Sequence, residues 1–225
     1  MKLLQLNKLS DEAVESLAES FDRLPHTDHK DGQYRLRRYS VVEVRTTFWN
    51  AKEEAEVTKL EHRRFMQDAS LNKHQGGMKR DFEEIEDSVI ESEGMKEMCL
   101  AFKRGNKLID GQEVEIHQMR VTTLGDGLTP VAPEGIHQDG FDHIAMIGIN
   151  RFNLKGGALL IYESNKRAGR LGSYANPPFV EKELAAGEMI MIRDDIFWHN
   201  ARDVWPLDRK EQGYGDLFIL CANTT

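Results

Sequence analysis

The sequence predicts an α+β protein built on a jelly roll, a double-stranded β-helix of the cupin type, with N-terminal helices packed on it. Apolar residues recur at helical spacing in the N-terminal half, whereas beyond Asp110 they alternate with the period of two that is typical of strands. Short apolar runs separated by glycine- and proline-containing turns then follow, as in sandwiches and barrels. We expect a single domain over 1–225, with a mostly helical part and an early strand at 1–111 and the jelly-roll core at 112–225.

The N-terminal part is predicted to hold three helices and one strand. The first helix covers 10–24, where Ser10 precedes Asp11 and Glu12 as a suitable N-cap. The charged segment 51–68 has helical propensity, and the third helix covers 81–105 with Gly105 as its C-cap. Between the first two lies the strand "YRLRRYSVVEV", whose basic cluster we interpret as a solvated face rather than a phosphate site.

The C-terminal half is predicted to consist of short strands. The turn segments that separate these strands are "GDGLTP", "KGG", "ANPP" and "AAGE". The strands themselves are "EVEIHQMRVTTL", "HIAMIGINRFNL", "GALLIYES", "EMIMIRDDIFWHNA" and "DLFILCAN".

Composition excludes several classes of protein. A net charge of -8 argues against a nucleic-acid partner, which would require a basic face. The two cysteines, Cys99 and Cys221, are far apart, so neither a disulfide framework nor a thiolate metal site is expected. The N-terminus lacks the apolar run of a signal peptide, and no stretch approaches the ~20 apolar residues of a membrane span. We expect a cytoplasmic protein with no membrane partner.

The segment "GIHQDGFDHI" at 135–144 is the strongest candidate for a site of chemistry. Side chains at i and i+2 of a strand share a face, so His137 and Asp139 converge, and His199 at the end of a later strand can face them. Two imidazoles and one carboxylate form the ligand set of non-haem Fe(II) oxygenases. A polar turn with a separate core histidine, or a hydrolase-like zinc site, would use the same residues. His143 is interpreted as a core residue or a supporting residue of the site rather than a ligand.

The sequence around these residues resembles that of one protein family. "PEGIHQDGFDHIAMIGINRFNLKGGALLIY", "GEMIMIRDDIFWHNARDVWP" and "GYGDLFIL" are similar to the Fe(II)/2-oxoglutarate-dependent dioxygenases, in the branch of bacterial amino-acid hydroxylases such as L-isoleucine dioxygenase. The resemblance implies that His137, Asp139 and His199 hold Fe(II), that 2-oxoglutarate is the co-substrate and that O2 is the oxidant. It further implies a small substrate, most simply a free amino acid or a derivative, that becomes hydroxylated.

One motif departs from the family pattern. The resemblance places an arginine for the distal carboxylate of 2-oxoglutarate where this chain has Gly215. Arg209 and Arg202 are the candidates to replace it. Arg120 is a further candidate and, with Gln118, could instead bind the substrate. An iron oxidase that does not use 2-oxoglutarate and a non-catalytic metal-binding jelly roll remain alternatives, and the helical half could form a homodimer surface.

Overall fold

The fold is a jelly roll of two facing antiparallel sheets with helices on one outer face. The computed structural model describes residues 4–49, 51–72, 74–125, 127–163 and 177–224. Within these residues the larger sheet has seven strands in the order β1-β9-β5-β12-β4-β2-β3, and the smaller has three in the order β10-β7-β8. A short pair, β6 with β11, lies beside them. The strands are β1 Leu4–Lys8, β2 Arg35–Trp49, β3 Lys52–Lys59, β4 Gln112–Thr122, β5 His143–Phe152, β6 Leu154–Gly156, β7 Leu159–Glu163, β8 Val180–Lys182, β9 Glu188–Arg193, β10 Phe197–Ala201, β11 Val204–Pro206 and β12 Tyr214–Ala222.

The helices confirm the first predicted helix and correct the last one, whose predicted range 81–105 becomes helical only at residue 87 and is split into two helices. α1 covers Asp11–Ala18 and continues as a 3-10 helix over Glu19–Arg23; the Ser10 hydroxyl caps α1 by accepting the Ala13 N–H. α2 covers Asp87–Ile90 and α3 covers Glu93–Asn106. Gly105 is not the C-cap, because α3 runs one residue past it and Lys107 takes the left-handed conformation. Gly105 instead faces Met191, whose sulfur would lie 2.6 Å from a Cβ added there.

The predicted helix over 51–68 is wrong. Residues 52–59 form β3, which pairs with β2 as a hairpin. Ala55 and Val57, two residues apart, pack on the core, so pairing and burial outweigh the helical propensity of the lysines and glutamates. The first 111 residues are therefore less helical than expected and supply three strands to the larger sheet. Residues 60–72 and 74–81 belong to an irregular segment, called the 60–81 loop below, which is closed by a bridge between Phe65 and Arg80.

Two apolar layers lie on either side of the larger sheet. One layer joins the sheet to α1 and α3, with Phe21, Phe102 and Phe218 among its fully buried side chains. The other joins the larger sheet to the smaller one and includes Met146 and Ile161. Alternation along β12 sends Phe218 to the helices and its neighbours between the sheets, where the cavity described below lies. None of the described helices has the length and hydropathy to span a membrane.

Candidate metal centre

The two strands of the site approach each other through a backbone bridge. His137 lies in the connection between β4 and β5, and His199 lies in β10. The His137 N–H donates to the His199 carbonyl oxygen at 3.0 Å, and the His199 N–H donates to the His137 carbonyl oxygen at 2.9 Å. Asp139, two residues after His137, completes the cluster. Ligand atoms of His137, Asp139 and His199 lie within 4.8 Å of one another.

Both imidazoles present the same nitrogen to the carboxylate. His137 Nε2 lies 3.5 Å from Asp139 Oδ1, and His199 Nε2 lies 3.5 Å from Asp139 Oδ2. His137 Nδ1 donates to the Gly135 carbonyl oxygen at 2.8 Å, which leaves Nε2 with a lone pair for a cation. His199 Nδ1 faces Asp194 Oδ1 at 3.4 Å, within ion-pair distance. Outer partners that fix the tautomer of a histidine in this way are typical of metal sites.

Asp194 organises the segment that carries the ligands. Its Oδ2 accepts the backbone N–H groups of Asp139, Gly140 and Phe141 at 2.8, 2.9 and 3.3 Å. The carboxylate is fully buried and its other oxygen faces His199. Asp194 thus holds the backbone of one candidate ligand and lies against the ring of another.

Gln67, from the 60–81 loop, fixes the orientation of Asp139. Gln67 Nε2 donates to Asp139 Oδ1 at 2.8 Å, and Gln67 Oε1 accepts from Asn72 Nδ2 at 2.8 Å and Arg80 Nη2 at 2.9 Å. Because two donors occupy its amide oxygen, the amide can present only its N–H group to Asp139. Asp139 Oδ2 receives no such hydrogen bond among the described residues and is left for a cation.

The electrostatics keep the carboxylate ionised. Burial alone would raise the pKa of Asp139, but the imidazoles of His137 and His199 hold it well below its usual range. Burial likewise opposes the charged form of His199, while Asp139 and Asp194 raise the pKa of that imidazole to about 10. This clustering of one carboxylate and two imidazoles around a common centre fits a divalent cation, which would replace the proton between them.

The donor set and its surroundings fit an iron site with open coordination positions better than a closed structural metal site. Two neutral imidazoles and one carboxylate on one face leave coordination positions open, as in non-haem Fe(II) oxygenases. His143 is buried at the start of β5 and does not join the cluster of the described residues, in line with the sequence analysis. The open side of the triad faces a cavity of about 140 Å³ between the two sheets.

The cavity is apolar on most sides and strongly basic on one. Met119, Met146 and Ile219 contribute apolar surface beside the triad. On the other side three buried or nearly buried guanidinium groups line it: Arg35, Arg37 and Arg80. The interpretation of "YRLRRYS" as a solvated face is therefore wrong. Arg35 and Arg37 lie two residues apart on the cavity face of β2, in the part of this strand that pairs with Val121 and Met119 of β4, which line the same cavity.

Neither arginine expected to replace the one missing at Gly215 reaches the cavity. Arg202 is half exposed and pairs with Glu181, 2.9 Å from Nε to Oε1. Arg209 is exposed in the loop after β11. Gly215 itself lines the cavity, and a Cβ there would lie 3.0 Å from Leu154 Cδ2. Its cross-strand neighbour Arg151 lines the same cavity.

Gln118 and Arg120 do not fit the substrate-binding role expected of them. They lie on the face of β4 opposite to His117 and Met119, which line the cavity. Gln118 Nε2 donates to Ser20 Oγ at 2.6 Å. Arg120 forms a two-pronged ion pair with Asp216, at 2.6 and 2.8 Å, and its guanidinium stacks on the Tyr214 ring. Alternate residues of β4 face the cavity, and the sequence did not indicate which of the two sets does so. That choice decides where Gln118 and Arg120 lie.

Comparison with known families identifies the chain. The model of the 2OG-Fe dioxygenase family matches residues 18–221, which is most of the sequence. The chain belongs to the 2OG-Fe dioxygenase family. It is an Fe(II)- and 2-oxoglutarate-dependent dioxygenase, with O2 as the oxidant. A search of curated proteins found no match.

Solved structures share the fold of this dioxygenase. A bsmA homologue from Methylobium petroleophilum PM1 has a TM-score of 0.70 at 24% identity, covering 94% of this chain and 81% of that one. IDO from Bacillus thuringiensis has a TM-score of 0.64 at 14% identity, covering 100% and 91%. TqaL, an Fe(II)/α-ketoglutarate-dependent dioxygenase, has a TM-score of 0.64 at 14% identity, covering 99% and 83%. These likenesses confirm the predicted jelly roll.

Some of the residues missed in the sequence carried a signal that was available, and others did not. Arg35 and Arg37 are spaced by two in a strand-forming run, so they had to share a face, and Tyr39 continues that face with an aromatic ring. Glu134 precedes His137 by three residues and also lines the cavity of the dioxygenase. Gln67 and Arg80 carried no such signal. Gln67 lies in the segment 51–68 predicted to be helical, Arg80 lies outside every predicted element, and both reach the site from an irregular loop.

Proposed function

We propose that this dioxygenase hydroxylates a small amino-acid-like substrate and couples that oxidation to the conversion of 2-oxoglutarate to succinate. The observation that supports the proposal is a cavity in which the His137, Asp139 and His199 cluster shares its walls with buried groups of both charges, among them Arg37 and Glu134. Buried charges are costly unless a partner neutralises them. A ligand with a carboxylate and an ammonium group supplies both partners.

The residues of the chain bind and orient the reactants and exclude water from the site. His137, Asp139 and His199 would hold Fe(II), which when bound supplies the oxidising chemistry by activating O2 with electrons from 2-oxoglutarate. Gln67 and Asp194 keep the ligands in place through the hydrogen bonds described above. The apolar side chains between the sheets keep solvent from the reacting carbon and limit the size of the substrate.

The apolar walls also bear on the kind of amino acid. Met119, Val121, Met146 and Ile219 line the cavity on the side of the larger sheet, and Leu159 lines it on the side of the smaller one. An aliphatic side chain fits such walls, whereas a charged one would lose its hydration there. We therefore expect aliphatic amino acids to be better substrates than acidic or basic ones. A homodimer remains a prediction for this protein.

The test is a turnover assay with a panel of substrates. The purified protein, supplied with Fe(II), ascorbate, 2-oxoglutarate and O2, is incubated with each proteinogenic L-amino acid, and succinate is measured together with the mass of the amino acid. We expect an aliphatic amino acid to stimulate succinate formation and to gain the mass of one oxygen atom. His199→Ala is the control that should show neither. Succinate formation that no amino acid stimulates would contradict the proposed substrate class while leaving the dioxygenase assignment in place.

A further inference from the structure

Arg37 is a buried cation that has no carboxylate partner in the part of the chain that the structure describes. It is 7% exposed, and among the described residues its guanidinium contacts only the Met119 sulfur, 3.1 Å from Nη2, and the Phe82 ring, 5.3 Å from its centroid. Burial and the nearby Arg35 and Arg80 lower the pKa of Arg37 to about 9. A guanidinium in such surroundings favours an anion with planar oxygens, since the ligand returns the interactions that burial removed.

The other two arginines are already engaged. Arg35 Nη1 pairs with Asp31 Oδ2 at 2.5 Å and with Glu134 Oε1 at 3.1 Å. Arg80 donates to Gln67, which in turn holds Asp139, and lies over the Phe65 ring. Arg37 is therefore the guanidinium of this cluster that is most free to receive a ligand.

Glu134 is the matching buried anion. Its side chain is 6% exposed, and its Oε1 is held by Arg35 while its Oε2 has no hydrogen-bond partner in the described part of the chain. Burial would raise the pKa of Glu134, but Arg35, His137 and hydrogen bonds together lower it below its ordinary value and keep the carboxylate ionised. Glu134 and Arg37 line the same cavity without forming an ion pair with each other among the described residues.

We propose that Arg37 binds a carboxylate group and Glu134 binds the ammonium group of the ligand that occupies this cavity. An α-amino acid carries both groups on one carbon and bridges the two side chains, which places its own side chain along the apolar walls. This inference rests on the proposed amino-acid substrate and assigns its recognition to two residues. The carboxylate at Arg37 has two possible sources, the substrate and the distal end of 2-oxoglutarate.

The first arm of the test measures discrimination between substrate analogues. The amino acid that gives the strongest turnover is compared with its 2-hydroxy acid, which lacks the ammonium group, and with its primary amine, which lacks the carboxylate. Arg37→Met should raise the KM for the amino acid by about 10- to 100-fold and leave that for the amine nearly unchanged. Glu134→Gln keeps an acceptor for Arg35. It should raise the KM for the amino acid by a similar factor and leave the KM for the hydroxy acid nearly unchanged.

The second arm identifies the source of the carboxylate. Calorimetry on the Mn(II) protein compares 2-oxoglutarate with 2-oxopentanoate, which has the same chelating end but no distal carboxylate. If Arg37→Met abolishes the preference for 2-oxoglutarate, Arg37 binds the co-substrate. If that preference survives while discrimination against the amine is lost, Arg37 binds the substrate.

Matched controls separate these effects from a loss of folding. Arg209→Met and Glu211→Gln remove the same charges from exposed positions outside the cavity, and both should behave like the unmodified protein. Arg37→Lys keeps the charge and should recover part of the affinity. The Arg37 assignment would be overturned if Arg37→Met changed neither the ratio of KM values for the amino acid and the amine nor the ratio of affinities for 2-oxoglutarate and 2-oxopentanoate. The Glu134 assignment would be overturned if Glu134→Gln left the ratio of KM values for the amino acid and the hydroxy acid unchanged. If no amino acid is turned over, the proposed substrate and the Glu134 assignment are both wrong. The ratio of affinities for 2-oxoglutarate and 2-oxopentanoate then decides by itself whether Arg37 binds the co-substrate.

Discussion

At the residue scale, the site depends on outer hydrogen bonds as much as on the three candidate ligands. Asp194 binds the backbone at Asp139 and lies against the His199 ring, so that one buried carboxylate orients two ligands. Gln67 fixes the carboxylate of Asp139 from the opposite side. Such partners typically change metal affinity about 10- to 100-fold when they are removed.

Gln67→Leu is expected to weaken binding of Mn(II) or Co(II) by about 10- to 100-fold, because Asp139 loses the donor that fixes its rotamer. Isothermal titration calorimetry measures the affinity directly. Gln212→Leu is the matched control, since Gln212 donates to the Thr123 carbonyl oxygen away from the triad. Equal metal affinity in the two variants would show that Gln67 has no part in positioning Asp139.

At the scale of elements, a glycine lies at the contact between α1 and α3. A Cβ at Gly94, near the start of α3, would lie 2.3 Å from the Ala13 carbonyl oxygen and 2.5 Å from Ser16 Oγ, both in α1. The Gly94 N–H donates to Ser16 Oγ at 3.1 Å. The two helices that cover the larger sheet therefore approach closely only because position 94 has no side chain.

Gly94→Ala is expected to lower the free energy of unfolding by about 1–3 kcal/mol, since the backbones must separate. Alanine is the better helix former by about 1 kcal/mol, so a stabilised variant would mean that propensity dominates and the contact is loose. Gly127→Ala is the control, because no atom of the described residues lies within 4 Å of a Cβ there, and its change should stay under about 0.5 kcal/mol. Urea unfolding followed by circular dichroism measures both variants.

The ion pair between Asp31 and Arg35 links the start of β2 to the loop before it. Burial raises the pKa of Asp31, but Arg35 and a hydrogen bond from Gln75 outweigh it and lower the pKa to about 2, below the ordinary value of 3.8. The carboxylate therefore contributes stability above pH 4, about 2 kcal/mol, that is lost as the pH falls towards 2. Asp31→Asn should show a flatter dependence of unfolding free energy on pH between 4 and 2. An unchanged pH dependence would contradict the assigned pairing.

At the scale of the whole molecule, the cavity is made where two distant parts of the chain meet. The candidate ligands come from 137–199 and the guanidinium groups from β2 and the 60–81 loop. They meet because β2 extends the larger sheet beyond β4, in the order β12-β4-β2. The N-terminal part is thus a wall of the site rather than a separate cover.

This arrangement explains what could be predicted from sequence and what could not. The triad was predictable, because His137 and Asp139 lie in one short segment and His199 ends an apolar strand. The jelly roll was predictable from the spacing of strands and breakers. The order of strands in the sheet was not, since the pairing of β2 with β4 depends on contacts between residues that are about 80 positions apart. For that reason Arg37 was taken for a surface residue, and Gln118 and Arg120 were taken for substrate-binding residues although they lie on the face of β4 away from the cavity.

The most direct test of the central claim is an anaerobic titration of the Fe(II) protein with 2-oxoglutarate, followed by visible absorption. If His137, Asp139 and His199 hold iron with open positions towards the cavity, a metal-to-ligand charge-transfer band should appear and saturate with 2-oxoglutarate, and it should be absent in His199→Ala. Iron binding without a band in the unmodified protein would contradict the account, because the co-substrate would then not reach the metal. A band of full strength in His199→Ala would contradict the assigned ligands.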